Sequence, residues 1–181
     1  CEDAWMANRP GAALARRGAD IILHPSASHF AFGKLEVRKR FVIEGSRAFN
    51  ASYLYANLLG NEAGRAIYDG DAMIASAGTV LARGPRFSFD DFRVTAAVLD
   101  VGLTRMKQSR TVSFEPEFRD QAGDSWEIDF AWPACERSGG AVGENTREAW
   151  EYSESIKEEE FTRAMALGLF GSIDMNRNDY Q

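Results

Sequence analysis

An α/β fold is predicted, and three observations predict it. The apolar run Ala19-Asp20-Ile21-Ile22-Leu23-His24, stopped by Pro25 and the small residues Ser26-Ala27-Ser28, reads as a buried strand. A stripe at helical spacing follows, with Leu35, Val42 and Phe49 apolar and Phe41 and Ala48 flanking them. Then comes a second strand-like run, residues 51–57, and two short apolar runs, 72–76 and 79–83, on either side of Ala77-Gly78, which read as a tight hairpin. Strand, helix, strand, hairpin is the order of an α/β protein.

Each element has local reasons. Residues 10–18 read as a short helix, with Pro10 near its start and Gly18 ending it. Residues 35–49 make an amphipathic helix whose other face carries Lys39, Arg40, Glu44 and Ser46. Within it, Gly45 is expected at a close approach to the sheet, and Asn50 is expected to cap the end. Residues 58–70, rich in Gly and charge, read as a loop, and 94–101 as a further strand. Residues 103–110 read as a short helix. Residues 111–150 hold Pro116, Pro133 and many charges and read as a loop or linker, Ser138-Gly139-Gly140 included. Residues 158–170 read as a helix with Phe161, Met165 and Leu169 on one face and Ala164 beside them.

Composition narrows the class. The 181 residues are 45% hydrophobic and 27% charged, enough for one domain with a real core. The net charge of −6 argues against nucleic acid or an anionic membrane as a partner. No apolar run is long enough to span a bilayer. The two cysteines, Cys1 and Cys135, have no metal-ligand spacing and suggest no disulfide scaffold, so a reducing cytoplasm is expected. His24 and His29 lie five apart with no third ligand type clustered nearby, so no metal site is expected.

The chain opens on Cys1-Glu2-Asp3-Ala4-Trp5. Either a processed terminus is exposed or the chain opens inside a domain. A cysteine just before a helix and then a parallel-type strand reads as a nucleophile turn, where helix N–H groups favour thiolate and can bind an oxyanion. At these residues the chain resembles the nitrilase (carbon–nitrogen hydrolase) superfamily. The series is Cys-Glu-Asp-x-Trp, Gly-Ala-Asp-Ile-Ile-Leu, Pro-Ser-Ala-Ser and Gly-Lys, in that order. Within the superfamily it looks like the glutamine amidotransferase domain of glutamine-dependent NAD+ synthetases. Later stretches, Asn57-x-x-Gly60-Asn61-Glu62 and Tyr68-Asp69-Gly70, follow the same pattern.

The resemblance implies the C-terminal portion of a four-layer α-β-β-α sandwich over residues 1–105. It implies a linker or extension over 106–157, and a helix over 158–181 leading toward a synthetase domain that is absent here. It implies hydrolysis of the L-glutamine amide through a cysteine thioester. The ammonia would serve ATP-dependent synthesis of NAD+ from deamido-NAD+. No cofactor is implied for the amide step, and ATP with Mg2+ for the missing synthetase domain. Homo-oligomers are implied as well.

Residue by residue, Cys1 matches the nucleophile. The backbone N–H of Glu2 matches an oxyanion donor, while its side chain reads equally as a solvated acid. Asp3 is expected to orient the turn and Trp5 to pack. Ser28 and Lys34 match glutamine-binding positions, with Ser26 a further candidate. Without the resemblance, these serines read as turn residues bonded to their own backbone and Lys34 as a solvated helix start. His24 stands where many relatives have Asn. Arg47 reads as a structural arginine of a buried pair, and Asp71 stands where relatives often carry Ser or Gln. The family's catalytic Glu and Lys lie upstream of its Cys, so no residue here is assigned those roles and the isolated chain is expected to be inactive.

Three other readings stand beside this one. One is a stand-alone nitrilase-type amidase. Another is an N-terminal-nucleophile amidotransferase, using the α-amine of Cys1 as base. The last is an inactive fragment that acts only as an association surface through open strand edges.

Overall fold

The structure, a computed structural model, describes residues 2–62, 65–111, 126–131 and 148–178, the last five of these by backbone only. Cys1, Cys135 and Ser138-Gly139-Gly140 lie outside the described residues. The architecture is mixed α/β. In chain order it comprises a 3₁₀ turn (Glu2–Ala4), α1 (Pro10–Arg16), β1 (Ile21–Ser26), α2 (Lys34–Ala48), β2 (Ser52–Asn57), β3 (Leu59–Glu62) and β4 (Ala66–Asp69). There follow β5 (Met73–Ser76), β6 (Thr79–Arg83), α3 (Val101–Arg110), a second 3₁₀ turn (Ala149–Tyr152) and α4 (Ile156–Asn178).

Four strands form one sheet in the order β1-β2-β5-β6. β1 and β2 are parallel, from Ile21 opposite Ser52 to Ser26 opposite Asn57, with α2 as the crossover between them. β2–β5 and β5–β6 are antiparallel. The β5–β6 hairpin turns at Ala77-Gly78 with φ of 54° and 83°, two left-handed residues in succession, which matches the right-handed twist of the flanking strands. α2 packs on β2 and β5. Its Leu35, Val42 and Phe49 are buried as expected, and the core beneath joins Ile22, Tyr53, Tyr55 and Met73. A side chain at Gly45 would meet the Tyr53 ring at 3.0 Å, so any larger residue there would have to push that ring aside, and glycine lets the helix lie close on the sheet. Asn50 takes φ 49° just past α2, the left-handed closing residue.

Several elements differ from expectation. Residues 58–70 are not a loop: β3 and β4 pair as a separate two-stranded sheet covered by α4. Ile67 joins a second core there with Phe87, Trp150, Ala164 and Leu167, a long-range packing that local periodicity does not encode. Residues 94–100 form no strand. Val94 and Val98 are exposed, and the Asp100 carboxylate accepts the Leu103 N–H at 3.0 Å, so a helix starts at Val101. In α2, Ser46 is buried, donating to the Ile43 carbonyl and accepting from the Gly78 N–H, which staples the hairpin to the helix. In α4 the stripe Phe161, Met165, Leu169 faces solvent, while Glu160, Ala164 and Leu167 are buried. Arg47 is an exposed partner of Glu44, not a buried one.

Candidate functional site

Strand alternation divides β1 into two faces. Ile22, His24 and Ser26 share the covered side, while Ile21 and Leu23 are exposed on the other. The strand delivers Ser26, half-buried, to its C-terminal end, where the next turns carry Ser28, His29 and Lys34. Ends of parallel strands are where α/β proteins gather ligand-binding groups.

Ser28 is buried and belongs to no strand or helix. Its N–H donates to Asn57 Oδ1 at 2.8 Å, and its carbonyl accepts from Asn57 Nδ2 at 3.0 Å and from Arg38 at 3.2 Å. Its Oγ is buried and makes no hydrogen bond of good geometry among the described residues, the Tyr55 hydroxyl being the group beside it. The Ser28 hydroxyl therefore does not satisfy its own turn, which is what an ordinary turn serine does.

Lys34 opens α2 and is half-buried. Its Nζ lies 3.4 Å from both ring nitrogens of His29 and 5.8 Å from the centre of the Trp5 ring. Burial, then the charge of Arg38, lowers its pKa, while Asp69 opposes them. Trp5 packs edge-on against Phe41 of α2 with ring centres 5.4 Å apart. The residues just after Cys1 thus meet the start of α2. Glu2 is exposed in the first 3₁₀ turn. His24 lies among Phe41, Tyr53 and Tyr55, and burial lowers its pKa toward the neutral imidazole. The Tyr53 hydroxyl, its pKa pushed up to about 12 by burial, lies 2.8 Å from His24 Nδ1.

Sequence reasoning did not find the buried ionic network behind this rim. Arg38 and Asp69 are fully buried and joined by two hydrogen bonds, 2.9 and 2.5 Å. Burial works against the Arg38 charge, but the hydrogen bond and charge of Asp69, with the charge of Asp71, outweigh it and keep the guanidinium protonated. Arg86 donates to Asp69 at 3.1 Å and to Glu160 of α4 at 2.7 Å. Arg83 bridges Asp71 and Glu151, each at 2.7 Å. The available signal was an arginine on the apolar stripe of α2, three residues after Leu35 and four before Val42.

A cleft of about 780 Å³ opens on the far side of His29, lined by Phe30, Ile67, Tyr68, Met165 and Leu169 among others. It borders none of Ser26, Ser28 and Lys34. Among the described residues, no helix is long and apolar enough to cross a membrane.

What the fold and rim define is a class: a mixed α/β unit with hydroxyl and cationic groups at its parallel strand ends. The curated relatives that the chain matches are glutamine-dependent NAD+ synthetases. The chain is 34% identical over 113 residues to the glutamine-dependent NAD(+) synthetase of Saccharomyces cerevisiae, a match covering 62% of this chain and 16% of that protein. A crystal structure of a glutamine-dependent NAD(+) synthetase from Cytophaga hutchinsonii matches at 55% identity over 42% of this chain and 13% of that one, with a TM-score of 0.42. The glutamine-dependent NAD+ synthetase of Acinetobacter baumannii, solved in complex with ADP, matches at 26% identity over 50% of this chain and 17% of that one, with a TM-score of 0.46. No family model matches. The chain spans about one-sixth of the length of the curated relatives it matches.

Proposed function

We propose that this chain is the nucleophile-bearing part of the glutaminase unit of a glutamine-dependent NAD+ synthetase. One observation carries the reading: the Lys34 ammonium sits against Trp5, four residues after Cys1, and is coupled to the charge of Arg38, which holds the Ser28 carbonyl. The likeness to NAD+ synthetases supports it.

In this reading the Cys1 thiolate attacks the amide carbon of L-glutamine. The C–N bond breaks as the leaving nitrogen takes up the proton given up by the thiol, and ammonia departs. Water then opens the glutamyl thioester to glutamate and restores the thiol. The Glu2 N–H donates to the oxyanion. Lys34 pairs with the carboxylate of the amino acid, and Ser28 and Ser26 contribute hydroxyls to its polar head. No described residue is assigned as the general base.

The ammonia would go to ATP-dependent amidation of deamido-NAD+. ATP and Mg2+ belong to the synthetase domain, and none of the described residues is assigned to them. Residues 1–105 would form part of a four-layer sandwich, 106–157 an extension, and 158–181 the helix toward that domain. The exposed Ile21 and Leu23 on the open face of β1 support a second layer there. A cytoplasmic homo-oligomer completes the proposal.

Titration of the 181-residue protein with L-glutamine, followed by NMR, tests the site. Lys34→Met removes one charge-assisted contact and is expected to raise the Kd by about ten-fold or more. Equal affinity in both proteins, or no binding by either, overturns the reading.

A further inference from the structure

The geometry assigns Asp69 a task beyond neutralising buried charge: it positions Ser28, acting through Arg38. The consequence for ligand rests on the reading of Ser28 as a glutamine contact. The positioning itself does not.

Ser28 lies between β1 and α2 and gets no help from a strand ladder. Side chains hold both of its backbone groups instead: Asn57 on the N–H, and Asn57 with Arg38 on the carbonyl. An arginine side chain is long and has many rotamers, so its hold on Ser28 is only as firm as its own anchor. Asp69 supplies that anchor. Both of its oxygens grip the two terminal nitrogens of Arg38, which fixes the plane of the guanidinium. The one nitrogen, NH1, then donates to Asp69 Oδ1 and to the Ser28 carbonyl. Asp69 is itself held by Arg86, and Arg86 by Glu160 of α4. The carboxylate stands at the end of β4, where Gly70 and then Asp71 turn left-handed with φ of 73° and 78°. With its backbone fixed this way, Ser28 keeps its hydroxyl out of its own turn, buried beside the Tyr55 hydroxyl. A second arm, Arg83 between Asp71 and Glu151, is just as buried, and among the described residues neither of those two carboxylates bonds Ser28. It is the natural control.

The test is residue-resolved deuterium exchange of the full chain, with L-glutamine titrations beside it. The variants are Asp69→Asn, Arg38→Lys and Glu151→Gln. Lysine keeps the charge of Arg38 but has no fork with which to hold Asp69 and Ser28 together. Asp69→Asn and Arg38→Lys are each expected to speed exchange at the Ser28 amide by about ten-fold or more relative to the Tyr55 amide in β2. Both should weaken glutamine binding by about ten-fold. Glu151→Gln should change neither ratio by more than about two-fold, whatever it does to the melting point. Should Asp69→Asn not fold, Arg38→Lys carries the test. A Ser28-to-Tyr55 exchange ratio that stays at the wild-type value overturns the positioning role. Failure of the functional reading looks different: wild-type protein that binds no glutamine, or Ser28→Ala that binds it as well as wild type. In that case the exchange ratio alone decides on Asp69.

Discussion

Replacing Arg38 with methionine is expected to destabilise the fold by about 3–5 kcal/mol, because it breaks a buried ionic network by removing one partner. Arg38 is fully buried, and so are the carboxylates it faces: Asp69 in a two-pronged contact and Asp71 at 3.8 Å. Without the guanidinium, two carboxylates share a dry site with, among the described residues, Arg83 and Arg86 to offset them, and the Ser28 carbonyl loses a donor. Methionine fills much of the stem volume, so the loss is electrostatic rather than a cavity. Urea unfolding of the two proteins measures it. A loss under about 1 kcal/mol would mean that the network is solvated, as surface pairs are. The exposed pair Arg47–Glu44 gives that contrast, since its removal should leave the urea midpoint unmoved.

Met73→Ala is the second large effect, expected at about 2–5 kcal/mol. Met73 is fully buried in β5, paired with Tyr55 on one side and Arg83 on the other, and belongs to the core between sheet and α2. Truncation removes most of a buried side chain and leaves a cavity that the neighbouring aromatic rings cannot collapse to fill. Met73→Leu conserves volume and should cost less than about 1.5 kcal/mol. If the two variants lose the same stability in urea, the site is not packed as described.

These two residues also show what the sequence could and could not disclose. The core of the main sheet was legible because its signals are local: the stripe Leu35, Val42, Phe49, the strand stopped at Pro25, and the small-residue turn Ala77-Gly78. Gly45 and Asn50 were readable for the same reason, since a close approach and a left-handed closing residue each restrict the residue type. β3 and β4 were not legible, because Gly60, Asn61 and Glu62 look like a loop until α4 covers them. Val94 and Val98 misled in the opposite way. β-branched residues suit a strand, but here residues 94–100 pair with no strand among the described residues, and Asp100 caps a helix instead. In α4 the buried face is set by Ala164 and Leu167 in the second core together with the Glu160–Arg86 pair, a long-range arrangement that the stripe Phe161, Met165, Leu169 does not disclose.

At the site, Ser26, Ser28 and Lys34 were marked by the turn chemistry at a strand end and by the family likeness. The support behind them was not. Asp69, Asp71, Arg83 and Arg86 are scattered charges in sequence, and only folding brings them under Arg38. A buried arginine reads in sequence like any solvated one, unless its place on an apolar stripe is given weight.

The measurement that bears most directly on the proposed function is covalent labelling by an electrophilic analogue of glutamine, with the adduct located by mass spectrometry and Cys135 as the internal reference. The proposal predicts selective labelling at Cys1, suppressed by added L-glutamine. Equal labelling of Cys1 and Cys135, or labelling of neither, would contradict it.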